Sequence, residues 1–327
     1  MRLIADGGVE EIAPGDVTLP ERDGLVWIDL DHTDADGMAL LPGLFDVREV
    51  DLEDCYLRTP VPKLHLYGDH HYTAINGLAR GVDGRLYFQP LKVFQNPRLV
   101  VTILGPTSAA LPADAAHREL AAVHRRLDEH GFRPRTSLDL ITAVRREMMS
   151  TLELLVGTAA GRIGEFEQRV AHADPVKSER LLDELFALRH DLQTIRTCAA
   201  QAHQTYTSLL DTAETAEGTL SVDVRRVTEL RQGFRHLVQT TDLEREYLQE
   251  MLDLFQTRVA TELNRFVRRV TAWGTIGIAW TVIVGIFGMN FVDIPGLESP
   301  WGFSAVMASM LVVAVALGVF FRRHGWL

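Results

Sequence analysis

Cysteine is nearly missing from these 327 residues, which hold only Cys55 and Cys198. Two thiols cannot build a disulfide framework, so packing must hold the fold. A basic excess is also missing. The formal net charge is −11, which argues against nucleic acid as a partner and is compatible with attraction of cations. The opening MRLIADGGVEEIAPGD carries acids where a secretory signal has its apolar core, so no signal peptide is expected. Proline is missing from residues 220 to 290, about 71 consecutive positions. One uninterrupted helix of that length reaches about 105 Å at 1.5 Å per residue. Charge, finally, is missing from two long stretches near the end: VTAWGTIGIAWTVIVGIFGM (270–289) and WGFSAVMASMLVVAVALGVFF (301–321).

Each charge-free run has the roughly 20 apolar residues an α-helix needs to cross about 30 Å of hydrocarbon. A buried core helix is the alternative, but two such runs back to back are hard to cover with the remaining chain. Pro295 and Pro300 lie between them, so a tight helical hairpin is expected. Arg265, Arg268 and Arg269 precede the first run and Arg322 and Arg323 follow the second, while the linker carries only Asp293 and Glu298. The positive-inside rule then puts both termini in the cytoplasm and the linker outside the inner (plasma) membrane. Cys55 and Cys198 would lie in a reducing compartment as free thiols.

An α+β fold class follows for the whole chain. Residues 1–135 read as a cytoplasmic α/β domain, because GLVWIDLD, KLHLYGDHHYTAI, RLYFQPLKVF and RLVVTILG are β-prone runs separated by turn residues. Residues 136–219 read as helical. There Ile141, Val144, Met148, Leu152 and Leu155 recur at steps of three and four, and a second helix is expected after Pro175. Residues 220–269 read as a very long stalk helix that continues into a first membrane span (270–290). An external loop (291–300), a second span (301–321) and a basic cytoplasmic tail (322–327) complete the chain. Leu248, Leu252, Phe255, Val259, Leu263 and Phe266 stripe the stalk at helical spacing, which requires partner helices.

One face of the first span is unusual. Val267, Val270, Gly274, Ile278, Thr281, Gly285 and Gly288 follow steps of three and four, a stripe of small or aliphatic residues with one hydroxyl. Such a stripe is either a close helix–helix contact or, with several copies around an axis, a pore lining. Spacing alone leaves both open. Asp253 continues the stripe nearly four turns below Val267.

The stretch GIFGMNF (285–291) ends that span on Gly288, Met289 and Asn290. FGMNF resembles the signature of the CorA-type divalent cation channels, whose first span ends in Gly-Met-Asn. The chain order, the closing RRHGWL and the upstream LEDCYLRTPVPKLHLYGDHHYT also resemble that family. The resemblance implies a homopentamer in the bilayer whose first span lines the pore. The resemblance further implies a channel rather than an enzyme, with no catalytic residues and no resident cofactor. A divalent cation, Mg²⁺ by this resemblance, is both cargo and regulator. Asn290 would form a ring of amides at the outer mouth that binds the metal through its hydration waters, with Gly288 and Met289 shaping the turn. Thr281 and Gly285 match a pore threonine and a pore glycine, Asp253 an acidic ring at the cytoplasmic end, and Asn264 a stalk asparagine.

This sequence departs from the pattern in two places. Val267 and Val270 stand where the family has Met and Leu constrictions. The outer loop reads IPGL (294–297), so Gly296 replaces a glutamate and Asp293 and Glu298 are the acids left at the mouth. The IPG triplet resembles the ZntB-type zinc branch, which keeps Zn²⁺ transport, with or without proton coupling, as an alternative. A non-conducting two-pass scaffold and a tethered metal hydrolase are alternatives of another class. HTDADG (32–37) with Asp69, His70 and His71 resembles the DHH phosphoesterases, yet the other motifs of that family are missing and a loop plus a strand end is expected. A calcium loop is excluded because glycine is not at the sixth position from Asp29 or Asp31.

Overall fold

The computed structural model describes residues 2–5, 8–11, 24–58, 61–112, 117–129, 131–172, 179–215, 223–289 and 300–326. The chain divides into two compact units, one formed by residues 1–171 and 179–249, the other by residues 172–178 and 250–327. The fold is mixed α+β, as the pattern of runs requires.

The first unit is built on a seven-stranded sheet in the order β2-β1-β3-β7-β6-β5-β4. Its strands are β1 (Arg2–Ala5), β2 (Gly8–Glu11), β3 (Leu25–Asp31), β4 (Lys63–Leu66), β5 (His71–Arg80), β6 (Leu86–Gln95) and β7 (Leu99–Leu104). Among the described residues only the β3–β7 pairing is parallel, with Ile28 opposite Val101; β5, β6 and β7 form an antiparallel meander. The run KLHLYGDHHYTAI, continuous in the sequence reading, is two strands. It reverses between Leu66 and His71, where Gly68 and Asp69 supply turn chemistry.

Strand alternation sends β3 side chains to both faces, and helices cover both. Leu25 and Trp27 join Ile75, Leu91, Val93 and Val100 beneath α4 (Arg118–Asp128) and the start of α5 (Ser137–His172). Val26 and Ile28 join Tyr72, Phe94, Val101 and Ile103 beneath α1 (Ala35–Ala39), α2 (Leu41–Leu44) and α3 (Glu49–Tyr56). A central sheet buried on two sides explains why its strands read as nearly unbroken apolar runs. A third core gathers Leu152 and Val156 of α5, Ile195, Ala199 and Leu210 of α6 (Glu179–Thr215), and Val227, Leu230, Phe234 and Leu237 of α7. Those α7 positions step by three, four and three, so one stripe of the helix is internal to this unit.

The acids of HTDADG make the local turn. Asp31 Oδ1 accepts from Thr33 N at 2.9 Å and Thr33 Oγ1 at 2.6 Å, and Asp34 caps α1 by accepting from Gly37 N at 3.0 Å. Cys55 and Cys198 are both buried and free.

A buried ionic cluster pins α3 to the sheet. Asp51 and Asp54 lie three apart on one helical face, while Lys63 and His65 lie two apart on one strand face. Lys63 Nζ donates to Asp54 Oδ1 at 2.5 Å and Tyr72 OH to Asp54 Oδ2 at 2.5 Å. Asp51 accepts from Tyr67 OH and pairs with His65 Nδ1 at 2.5 Å. Both carboxylates are 1% exposed. Burial works to raise the Asp54 pKa, but hydrogen bonds from Lys63 and Tyr72 and the charges of Lys63 and Lys92 outweigh it and hold the carboxyl below its ordinary range. A folded pKa below the unfolded one, about 3.9, gives stability that is complete above about pH 4 and lost as pH falls through the folded value. Asp54→Asn is therefore expected to lower stability by roughly 2–3 kcal/mol at pH 7. The deficit should shrink below about pH 4 in urea titrations followed by circular dichroism. A deficit that stays constant across that range rules out ionisation of Asp54 as its source.

Candidate functional site

From Val224 onward the proline-free run is helix, passing from the first unit into the second. Helix α7 spans Val224–Phe287 and α8 spans Gly302–Arg323, and both are long and apolar enough to cross a membrane. The sequence reading carries the first span to residue 290; the helix stops at Phe287. Gly288 N still donates to Val284 O at 2.8 Å, but Met289 N reaches only Ile286 O, at 3.4 Å. A Cβ on Gly288 would sit 3.0 Å from Val284 O, tighter than nearly all such contacts, so any larger residue would push that carbonyl aside. Asn290, Asp293 and Glu298 lie outside the described residues.

The side of α7 turned toward α8 is marked by buried side chains. Ala272 is fully buried and Ile276 is 7% exposed, and Trp280 Nε1 donates to Met310 O of α8 at 3.1 Å. At 3.6 residues per turn, Val267, Val270, Gly274, Ile278, Thr281, Gly285 and Gly288 centre roughly opposite that side. All of them are exposed, Val267 at 52%, Val270 at 54% and Ile278 at 67%. Asp253 and Asn264, lower on α7, are exposed too. The structure thus gathers the described stripe residues on one uncovered face.

That face offers cations only weak, neutral acceptors between Asn264 and Gly288. Thr281 Oγ1 donates to Gly277 O at 2.9 Å, so the hydroxyl proton is engaged and the oxygen lone pairs remain for water. Gly274 and Gly285 have open space where a Cβ would stand.

The far end of α8 holds a feature that the sequence reading missed. Arg322 and Arg323, assigned there to a tail, form the last helical turn, where cations suit the helix dipole. Gly325 adopts φ +70, Gly325 N donates to Arg322 O at 3.2 Å and Trp326 N to Phe321 O at 2.9 Å. This is a Schellman cap, with Trp326 stacked on Phe321 at 5.4 Å as its apolar contact. Glycine two residues past the arginines was the available signal.

The phosphoesterase-like residues Asp69, His70 and His71 resolve into the sheet domain. Asp69 Oδ1 pairs with His70 Nδ1 at 2.7 Å, and burial pushes the His71 imidazole down to about 4, so His71 is neutral. Among the described residues no three His, Cys, Asp or Glu side chains converge as a metal-ligand set.

Residues 22–323 match the family described as CorA-like Mg²⁺ transporter protein. YfjQ of Bacillus subtilis (strain 168) is 24% identical over 309 residues, covering 92% of this chain and 89% of that protein. The zinc transport protein ZntB of Yersinia enterocolitica is 21% identical over 329 residues, covering 100% and 94%. Among solved structures, the complete CorA magnesium transporter of Methanocaldococcus jannaschii has the same fold. It superposes with a TM-score of 0.81 at 18% identity, over 100% of this chain and 98% of that one. With a family match over nearly its whole length and this arrangement of sheet domain, long helix and apolar hairpin, the chain belongs to the CorA-like Mg²⁺ transporter protein family.

Proposed function

We propose that this CorA-family divalent cation transporter is a homopentameric channel of the inner membrane whose cargo is hydrated Mg²⁺. Co²⁺ and Ni²⁺ are carried as well. The observation that carries the reading is the bare stripe of α7, opposite the side that meets α8. Copies of the chain that brought those stripes together would enclose a path lined by Val267, Val270, Gly274, Ile278, Thr281, Gly285 and Gly288. Asp253 and Asn264 then ring its cytoplasmic end, and Asp293 and Glu298 concentrate cations at the outer mouth. Both termini are cytoplasmic, from the arginines flanking the spans.

Selection falls to Asn290. Mg²⁺ gives up water reluctantly, so a ring of amide oxygens accepts hydrogen bonds from the bound waters and releases the ion readily enough for conduction. The cytoplasmic units sense cation: occupancy favours the closed arrangement, and ion loss releases the pore.

One specific observation favours a second reading. The chain aligns end to end with a zinc transport protein, and its outer loop has glycine at position 296. Ion flux into liposomes, with Mg²⁺ and Zn²⁺ in competition and a pH gradient imposed or absent, decides between them. The first reading expects Mg²⁺ influx indifferent to the gradient and outcompeting Zn²⁺. Gradient-driven Zn²⁺ entry supports the second. Absence of flux for both ions removes both and leaves a membrane scaffold. The mass of the detergent-solubilised particle tests the subunit number.

A further inference from the structure

One end of the apolar hairpin is basic without relief. Arg265, Arg268 and Arg269 stand at the foot of the first span and Arg322 and Arg323 at the end of the second, and no acid occurs from Leu263 to Val292 or from Trp301 to Leu327. Glu262, just below, is paired with Arg265. Among the described residues no carboxylate pairs with Arg268, Arg269, Arg322 or Arg323, and all four are exposed.

The four arginines share one level. Trp280 Nε1 donates to Met310 O at 3.1 Å, which sets α7 beside α8 there, and successive spans of a hairpin run antiparallel. Arg269 lies eleven residues below Trp280 and Phe321 eleven beyond Met310. Both helices rise 1.5 Å per residue, so Arg268 and Arg269 stand level with Phe321, Arg322 and Arg323. Rotation agrees, because Arg269, Ala272, Ile276 and Trp280 follow steps of three, four and four along the side of α7 that meets α8. The Schellman cap and the stacking of Trp326 on Phe321 close α8 just past its two arginines. Trp280 and Met310 fall at the centres of the two charge-free runs. Eleven residues are about 16 Å, half of the roughly 30 Å hydrocarbon thickness, so the arginines come out in the headgroup layer.

Guanidinium does not shed its proton, and like charges held at one level repel. The anion within reach in that layer is the lipid phosphodiester, whose geometry a guanidinium matches with two hydrogen bonds. A zwitterionic lipid carries an ammonium that offsets its phosphate. An anionic lipid leaves its whole charge to the protein.

We propose that this end of the hairpin is a binding site for anionic phospholipid, whose phosphodiester headgroup bridges Arg268 and Arg269 of α7 to Arg322 and Arg323 of α8. The lipid is the counter-ion of the cluster and ties the two spans together where their own charges push them apart. The site needs only the two membrane helices, so it stands whichever cation is carried.

The test is lipid retention by the full chain in detergent. Protein is mixed with equal amounts of dioleoylphosphatidylglycerol and dioleoylphosphatidylcholine, passed through size exclusion, and the co-eluting lipid is quantified by mass spectrometry. Phosphatidylglycerol is expected to be retained over phosphatidylcholine by on the order of tenfold or more, and Arg322→Gln/Arg323→Gln should lower that preference by roughly fivefold for each charge removed. Arg268→Gln/Arg269→Gln should do the same from the other helix, and it decides the matter if the first pair fails to fold. Arg322→Lys/Arg323→Lys keeps the charge and should keep the preference. Inorganic phosphate at the lipid concentration should displace nothing. Equal retention of the two lipids, a preference unchanged in both glutamine pairs, a loss in the lysine pair as complete as in the glutamine pair, or displacement by inorganic phosphate overturns the proposal.

Discussion

Replacing Asn290 by alanine is expected to abolish selective divalent-cation flux and leave the oligomer intact. The side chain is a neutral acceptor at the end of a span otherwise built from apolar and small residues. Alanine retains the backbone and removes the only carboxamide in GIFGMNF. A hydrogen bond to a charged or charge-polarised partner contributes about 1.5–3 kcal/mol, so each lost contact lowers cation occupancy by roughly 10–150-fold. Asn290→Asp is the informative contrast. It restores the acceptor and adds charge, so it should hold the ion harder and slow its release. Liposome flux and particle mass measured on the same preparations separate a lost site from a lost assembly. Wild-type conduction by the alanine variant places selection elsewhere.

Much of this architecture is legible because the signals are one-dimensional. Hydrocarbon thickness dictates about 20 uncharged residues per span, and both spans stand out at once. Absence of proline licenses a long helix, and the helix spans Val224–Phe287. Steps of three and four fix which α7 residues share a face, whatever that face meets. What stays hidden depends on residues distant in sequence. The parallel pairing of β3 with β7 joins residues 73 positions apart, as Val26 with Leu99, and no local pattern announces it. The Asp51–Asp54 cluster had a visible half-signal: acids at i,i+3 on a helix, then Lys63 and His65 at i,i+2 on a strand. Charge spacing alone reads as a solvated surface, and only the packing of α3 on the sheet buries it. Arg145 is harder still. It sits beside Arg146 in a helical stretch, one fully buried and the other exposed, and only the neighbouring helices distinguish them.

Gly285→Phe is expected to cut flux by on the order of tenfold or more, whereas Val284→Phe should leave it close to wild type. The two positions are adjacent, and a helix turns about 100° per residue, so equal bulk enters two different environments. Gly285 lies on the stripe opposite α8 and has open space where a Cβ would stand; Val284 is 56% exposed on the flank, where a phenyl ring meets acyl chains. If the stripes of several copies surround the path, rings at 285 crowd one another on the axis and dewet it. If the stripe instead packs against a neighbouring helix away from any axis, the phenylalanine disrupts assembly, and the particle mass falls along with the flux. Loss of flux at constant mass assigns the bare face of α7 to the ion. Loss from Val284→Phe with Gly285→Phe unaffected turns the helix around and removes every lining residue named above.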